Sequence, residues 1–300
     1  MFLHIILSAL QQSLIFLPLA LGIYISYEVL VLTDLTVGGT FVLGASIFAR
    51  LFTTNYSQSL AIIFALLGGF VIGVAVCIMQ RAAKINSLIA GILAVFMLYS
   101  INFMVMGRPT IGLTDNRIFL QTAGGVPLWG FLLAFTLILM LLLMLLLRSR
   151  VGLILRALGS NPYLVSRLGF KSAVYLALGL GLSNLLAALS GVMTAQANGF
   201  SSVQMGEGMA LVGIGAVVIG CQLVKSLLVS RKHHFSAALD LFCCFIGVYI
   251  YFLALNALLA SGLNPIYLKL FLGLLLVFFL STAHYSGRRG EQHGELAQIK

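Results

Sequence analysis

The sequence predicts an all-α, polytopic membrane protein, a bundle of about nine transmembrane helices with eight to ten as the range. Three observations carry that prediction. Apolar residues fill 61% of the 300 positions and charged residues only 8%, against about 25% charged in a soluble domain; the mean hydropathy is +1.12. Runs long enough to span a bilayer, about 20 residues, recur along the chain, and those at 51–80, 85–107 and 241–268 carry no charge. The cations fall in short loops between such runs, where Lys and Arg act as orientation signals. The formal net charge of +10 therefore belongs to membrane topology. Lipid is an expected partner and nucleic acid is not.

Taken in order, spans are expected near 5–30, 36–52, 57–80, 87–106, 127–147, 173–198, 208–224, 235–256 and 265–283. The first has no Lys or Arg ahead of it and no small-residue cleavage site, so it reads as a span and not as a removed signal peptide. The second and seventh are short and Gly-rich, the mark of broken or incomplete spans. The 107–126 loop, with Arg108, Asp115 and Arg117, is long enough for a small external cap.

Orientation follows from the loops. Arg81 and Lys84 lie in one, Arg148 to Lys171 in a second, and Lys225, Arg231 and Lys232 in a third. Nine alternating crossings put all three in the cytoplasm with the polar 284–300 tail, and the N-terminus outside. The opposite loops are poor in cations: 53–56 and 257–264 have none, and 199–207 has only Glu207.

Cys77, Cys221, Cys243 and Cys244 lie in or beside apolar runs, without CxxC or His at metal spacing, and read as small hydrophobes. No metal site and no cofactor is expected. No Ser/His/Asp arrangement marks an enzyme, and no row of Asp, Glu and His marks a proton relay.

Two segments resemble each other. Asp34–Ala45 (DLTVGGTFVLGA) and Met205–Ala216 (MGEGMALVGIGA) each set an acid beside glycines and then open an apolar helix. They run in opposite directions in this topology. That is the pattern of inverted repeats, whose discontinuous helices build a path near the midplane. Helices 1–4 would match helices 6–9, leaving helix 5 over. Glycines that merely let helices approach give the same signal.

Charges at membrane depth are costly and usually functional. Glu28, Asp34, Arg50, Glu207, Asp240 and Lys269 are the ones available. Snorkelling accounts for Arg50 and Lys269, and the helix dipole favours Asp34 and Glu207 where they stand. Asp240 is close to Lys232 and so near the cytoplasmic surface. Softer polar groups, Gln11, Gln12, Ser13, Ser183, Asn184, Gln196 and Asn198, either line a path or bond helix to helix.

The segment Arg148–Lys171 (RSRVGLILRALGSNPYLVSRLGFK) has five cations, Arg148, Arg150, Arg156, Arg167 and Lys171, and no acid. It divides into helix-forming pieces around a Gly159-Ser-Asn-Pro162 break. Apolar Leu153, Leu155, Leu164, Val165 and Leu168 give it contact area for a cytoplasmic partner.

The stretch Gly152–Phe170 resembles the cytoplasmic coupling loop of bacterial ABC permeases of the branched-chain amino acid and ribose class. Within that class it is similar to small permeases described as tryptophan/tyrosine transport subunits. Asp34–Ala45 and Ala195–Gly220 resemble the same group, and the likeness covers about 10–283; the 226–235 loop (SLLVSRKHHF) matches least well. The resemblance implies a single permease domain over 1–283, with coupling loop 148–171 and a cytoplasmic tail over 284–300. It implies a multi-pass protein of the bacterial inner membrane that works with a cytoplasmic ABC ATPase, an extracytoplasmic substrate-binding protein and a second permease copy. The chain itself is then a transport subunit and not an enzyme. The coupling helix falls near Asn161–Gly169, with Pro162, Leu164 and Leu168 inside it and Arg156 and Gly159 leading in. The path-lining segments, 36–45 and 205–216, supply Thr36, Gly38, Gly39, Glu207, Gly208 and Gly213, with Asp34 and Asn184 beside them. The competing class is an ion-coupled carrier, which the scarcity of central carboxylates argues against, or a channel, which the Asn161-Pro162 and Asn264-Pro265 pairs do not support, since neither is followed by Ala and the first lies in the basic loop.

Overall fold

A computed structural model describes residues 2–113, 128–228 and 237–262, with positions 270, 273, 274 and 277. Among the described residues, eight helices are long and apolar enough to cross a membrane. The expected ninth span at 265–283 lies largely outside the described residues, as do most of the 107–126 loop and the 284–300 tail.

Helix α1 (Phe2–Tyr24) contains Pro18 and runs into a π-helical turn at Ile25–Val29. Pro18 has no N–H to give to the preceding turn. Val31, beyond the π turn, has φ 55°, a conformation β-branched residues rarely take. The helix therefore breaks here, and α2 (Thr36–Thr53) starts afresh. Then come α3 (Gln58–Ala82) and α4 (Ser87–Met106). Helix α4 is capped by Asn86, whose Oδ1 accepts the Leu88 N–H at 3.3 Å, and ends on Gly107 at φ 69°. After α5 (Leu128–Arg148) the basic segment forms two short helices, α6 (Arg150–Ser160) and α7 (Pro162–Arg167). The remaining spans are α8 (Ser172–Asn198), α9 (Met209–Leu228) and α10 (Ala237–Ala260).

One small sheet interrupts the helices. Strand β1 (Thr110–Gly112) pairs antiparallel with β2 (Phe200–Ser202), Ile111 facing Ser201. It joins the far ends of α4 and α8, the ends away from the basic loop. A 3-10 turn at Val203–Gly206 then leads to α9.

Lipid is as apolar as Leu, so close packing holds such helices together, not flight from water. Helices α2 and α8 sit at the centre, 72% and 67% buried over their spanning windows, while α3, α4 and α5 are only 28%, 28% and 22% buried and present apolar faces outward. Glycines and small residues mark the close crossings. A Cβ on Gly191 would stand 1.8 Å from the Phe41 carbonyl oxygen, and one on Gly44 2.3 Å from that of Ala188. Ser183 Oγ donates to Gly22 O at 2.8 Å and Ser190 Oγ to Ile15 O at 2.9 Å, so α1 and α8 run antiparallel.

The packing is paired across the bundle. Helix α8 packs on α2 and α3, α1 packs on α9 and α10, α2 packs on α3, and α9 on α10. Helix α5, the expected odd one out, packs against α1 and α10 and leads into α6.

Candidate functional site

Asp34 lies at membrane depth. It meets Asn184, which is 12 residues into α8 from Ser172, about 18 Å at 1.5 Å per residue, and so near the middle of a hydrocarbon core of about 30 Å. A carboxylate there needs donors. Asn184 Nδ2 donates to its Oδ2 at 2.9 Å, the Thr36 N–H to its Oδ1 at 2.9 Å, and the Thr36 hydroxyl to the same oxygen. The hydroxyls of Thr36 and Thr40 lie 3.1 and 2.7 Å from Asn184 Oδ1. Asp34 is 2% exposed, and Thr36, Thr40 and Asn184 not at all. The structure thus gathers three of the expected path residues into a sealed network that fixes the start of α2.

The two broken helix starts meet beside this network. A Cβ on Gly206 would lie 2.4 Å from Gly38 O, and one on Gly38 3.2 Å from Gly206 O. Along this contact runs a cleft of about 260 Å³, with Gly38, Gly39, Glu207 and Gly208 on one wall and Phe96, Tyr99 and Asn102 of α4 on the other. Val42 and Leu211 add apolar surface. Asn102 Nδ2 donates to Gly39 O at 3.1 Å, holding α4 against α2. Glu207 is exposed. Gly213 lies elsewhere, against Leu19 and Ile23 of α1.

The α4 residues are those that sequence reasoning missed. Asn102, a polar residue one turn from Tyr99 in a mostly apolar span, was the available signal.

The basic loop is built on its own apolar residues. Leu155, Leu158 and Val165 are buried, anchoring α6 and α7 to the bundle. Asn161 caps α7, its Oδ1 accepting the Leu164 N–H at 3.1 Å, and Pro162 takes the first helical position. Gly169 turns the chain at φ 83°. Outward project Tyr163, 83% exposed, Leu168, 63%, and Leu164, 49%. Gly159 touches the π turn so closely that a Cβ would lie 2.1 Å from Val29 O. Arg156 faces a cleft shared with Tyr24, Glu28 and Asp240, in which Tyr24 Oη donates to Asp240 Oδ2 at 2.8 Å.

Comparison with known proteins adds the following. The sequence model of a family described as branched-chain amino acid transport system, permease component, matches residues 5–280. An uncharacterized protein of Rickettsia prowazekii is 46% identical over 286 residues, 93% of this chain and 98% of its own. A tyrosine transport system permease protein of Clostridioides difficile is 34% identical over 279 residues, 93% of this chain and 91% of its own. No solved structure matches the chain.

Proposed function

This chain belongs to the family of permease components of branched-chain amino acid transport systems, membrane subunits of ABC transporters, and from that premise we propose that it serves an ATP-driven importer. It is a multi-pass membrane protein, in bacteria of the inner membrane. On our reading, a separate cytoplasmic ATPase docks on α6–α7 and an extracytoplasmic binding protein delivers the solute. Two permease copies form the path between them.

The observation that carries this reading is the surface of α7. Tyr163, Leu164 and Leu168 stand out from a loop anchored by buried Leu155, Leu158 and Val165, with Leu153 and Phe170 exposed as well, and exposed aromatic and aliphatic anchors of this kind suit a pocket on a partner. The Gly159–Val29 contact supports a route for force. Motion of α7 reaches the π turn through α6, then the break at 30–35, then the start of α2 beside the cleft. That route ties ATP binding on the partner to rocking of the cleft walls.

The solute in this proposal is a small amino acid or related compound with an apolar or aromatic side chain. Two observations support it: the transport described for the Clostridioides relative, and cleft walls of Phe96, Tyr99, Val42 and Leu211 with one carboxylate at Glu207. Uptake of labelled tyrosine, competed by other amino acids, tests this part.

The coupling part is tested by co-purification from cells expressing the neighbouring genes. An ATPase at about one copy per permease, lost on Leu168→Asp, is the expected result. Gly159→Leu is expected to keep the ATPase bound but uncouple hydrolysis from uptake. Normal coupled uptake in both variants would sink the assignment of the loop.

A further inference from the structure

We infer that the cleft between the basic-loop ends of α3 and α8 and the α7 turn binds a phosphate-type anion. It is separate from the Asp34 network and from the Glu207 cleft. Its volume is about 620 Å³, and Arg81 and Lys171 stand at its walls with no acid among the described lining residues.

The buried groups facing it are donors in want of acceptors. Gln80 lines the cleft and is only 8% exposed, and its Nε2 has no hydrogen-bond partner among the described residues. The hydroxyl of Ser172, also in the lining, has none either. A buried amide donor left without an acceptor is costly, which marks Gln80 as a group with a missing ligand. Ser172 is the first residue of the 27-residue α8, whose N-terminus has no side-chain cap. The free N–H groups and dipole there favour an anion. Two cations, a buried amide, a hydroxyl and a helix N-terminus together match the several acceptor oxygens of a phosphate.

The anion has two possible sources, a lipid head group or a soluble phosphate compound. The surroundings favour lipid. Ile78, one turn deeper on α3, is 61% exposed, and Val174 on α8 is 50% exposed, giving acyl chains apolar surface directly below the cations. Basic pockets between spans at this depth suit anionic head groups. An occupied site ties α3, α7 and α8 into one unit, bracing the loop that carries Tyr163, which also lines this cleft.

The test uses the full chain in mild detergent. Native mass spectrometry compares retention of phosphatidylglycerol with that of phosphatidylcholine, and titration calorimetry with inorganic phosphate covers the soluble source. The expected result is one phosphatidylglycerol kept under activation that strips phosphatidylcholine, with retention reduced about tenfold by Gln80→Leu and abolished by Arg81→Gln with Lys171→Gln. Phosphate binding that is lost on the same changes, without lipid retention, supports the site and assigns it to the soluble source. Binding of neither probe overturns the inference. So does lipid retention that falls with the charge pair but ignores Gln80→Leu, since diffuse surface charge explains it. If the double variant does not fold, Gln80→Leu in a monodisperse preparation decides alone.

Discussion

The starts of α2 and α9 are alike in plan and opposite in condition. Each follows a break, each has an acid two residues ahead of the helix, Asp34 before Thr36 and Glu207 before Met209, and the two meet at Gly38 and Gly206. Yet Asp34 is enclosed by Thr36 and Asn184, while Glu207 is exposed in the cleft. One acid is enclosed in the wall and the other stands open to the cleft. An ionisable group inside a membrane is a candidate for function by default, and the two acids differ in burial.

The largest effect expected from breaking this contrast is at Asn184. Asn184→Leu takes one donor from a carboxylate at membrane depth and leaves the rest unbalanced. Loss of about 3 kcal/mol is expected, the upper end for a buried polar group left without its partner, read as a lower melting temperature or lost yield in detergent. Gly44→Val comes next, since its side chain would run into the Ala188 backbone; overpacking of this kind costs about 1–3 kcal/mol, by the same measurement. Thr40→Val keeps shape but removes a hydroxyl bonded to Asn184, at about 1 kcal/mol. Glu207→Gln is the smallest, within about 0.5 kcal/mol of the native chain in stability, while solute uptake falls. A Glu207 variant that unfolds like Asn184→Leu, or an Asn184 variant of full stability, would erase the distinction between the two acids.

What was legible in the sequence was what hydropathy and charge record locally. The α8 span and the α6–α7 loop were readable because apolar length and the Asn161-Pro162 cap are short-range signals. The Gly-rich starts of α2 and α9 were readable as breaks for the same reason. The bond from Asn184 to Asp34 was not, because it joins residues 150 positions apart and nothing local to either names its partner. Gly213 shows the limit from the other side. Glycine signals a close approach without saying to what, and here the neighbour is α1 and not the cleft. The α4 wall was hidden because Phe96 and Tyr99 have the same composition whether they face lipid, a partner or a solute.

The β1–β2 pair has a consequence for how such a protein can change. It ties the ends of α4 and α8 together through backbone pairing, Thr110 with Ser202 and Gly112 with Phe200, extended by the Leu113 N–H to Gly199 O at 2.7 Å and the Val203 N–H to Pro109 O at 3.1 Å. Main-chain bonds do not depend on which side chains they carry. The pair is therefore a place where side chains at 110, 112, 200 and 202, outside the cleft lining, can be rewritten while the scaffold stays in register.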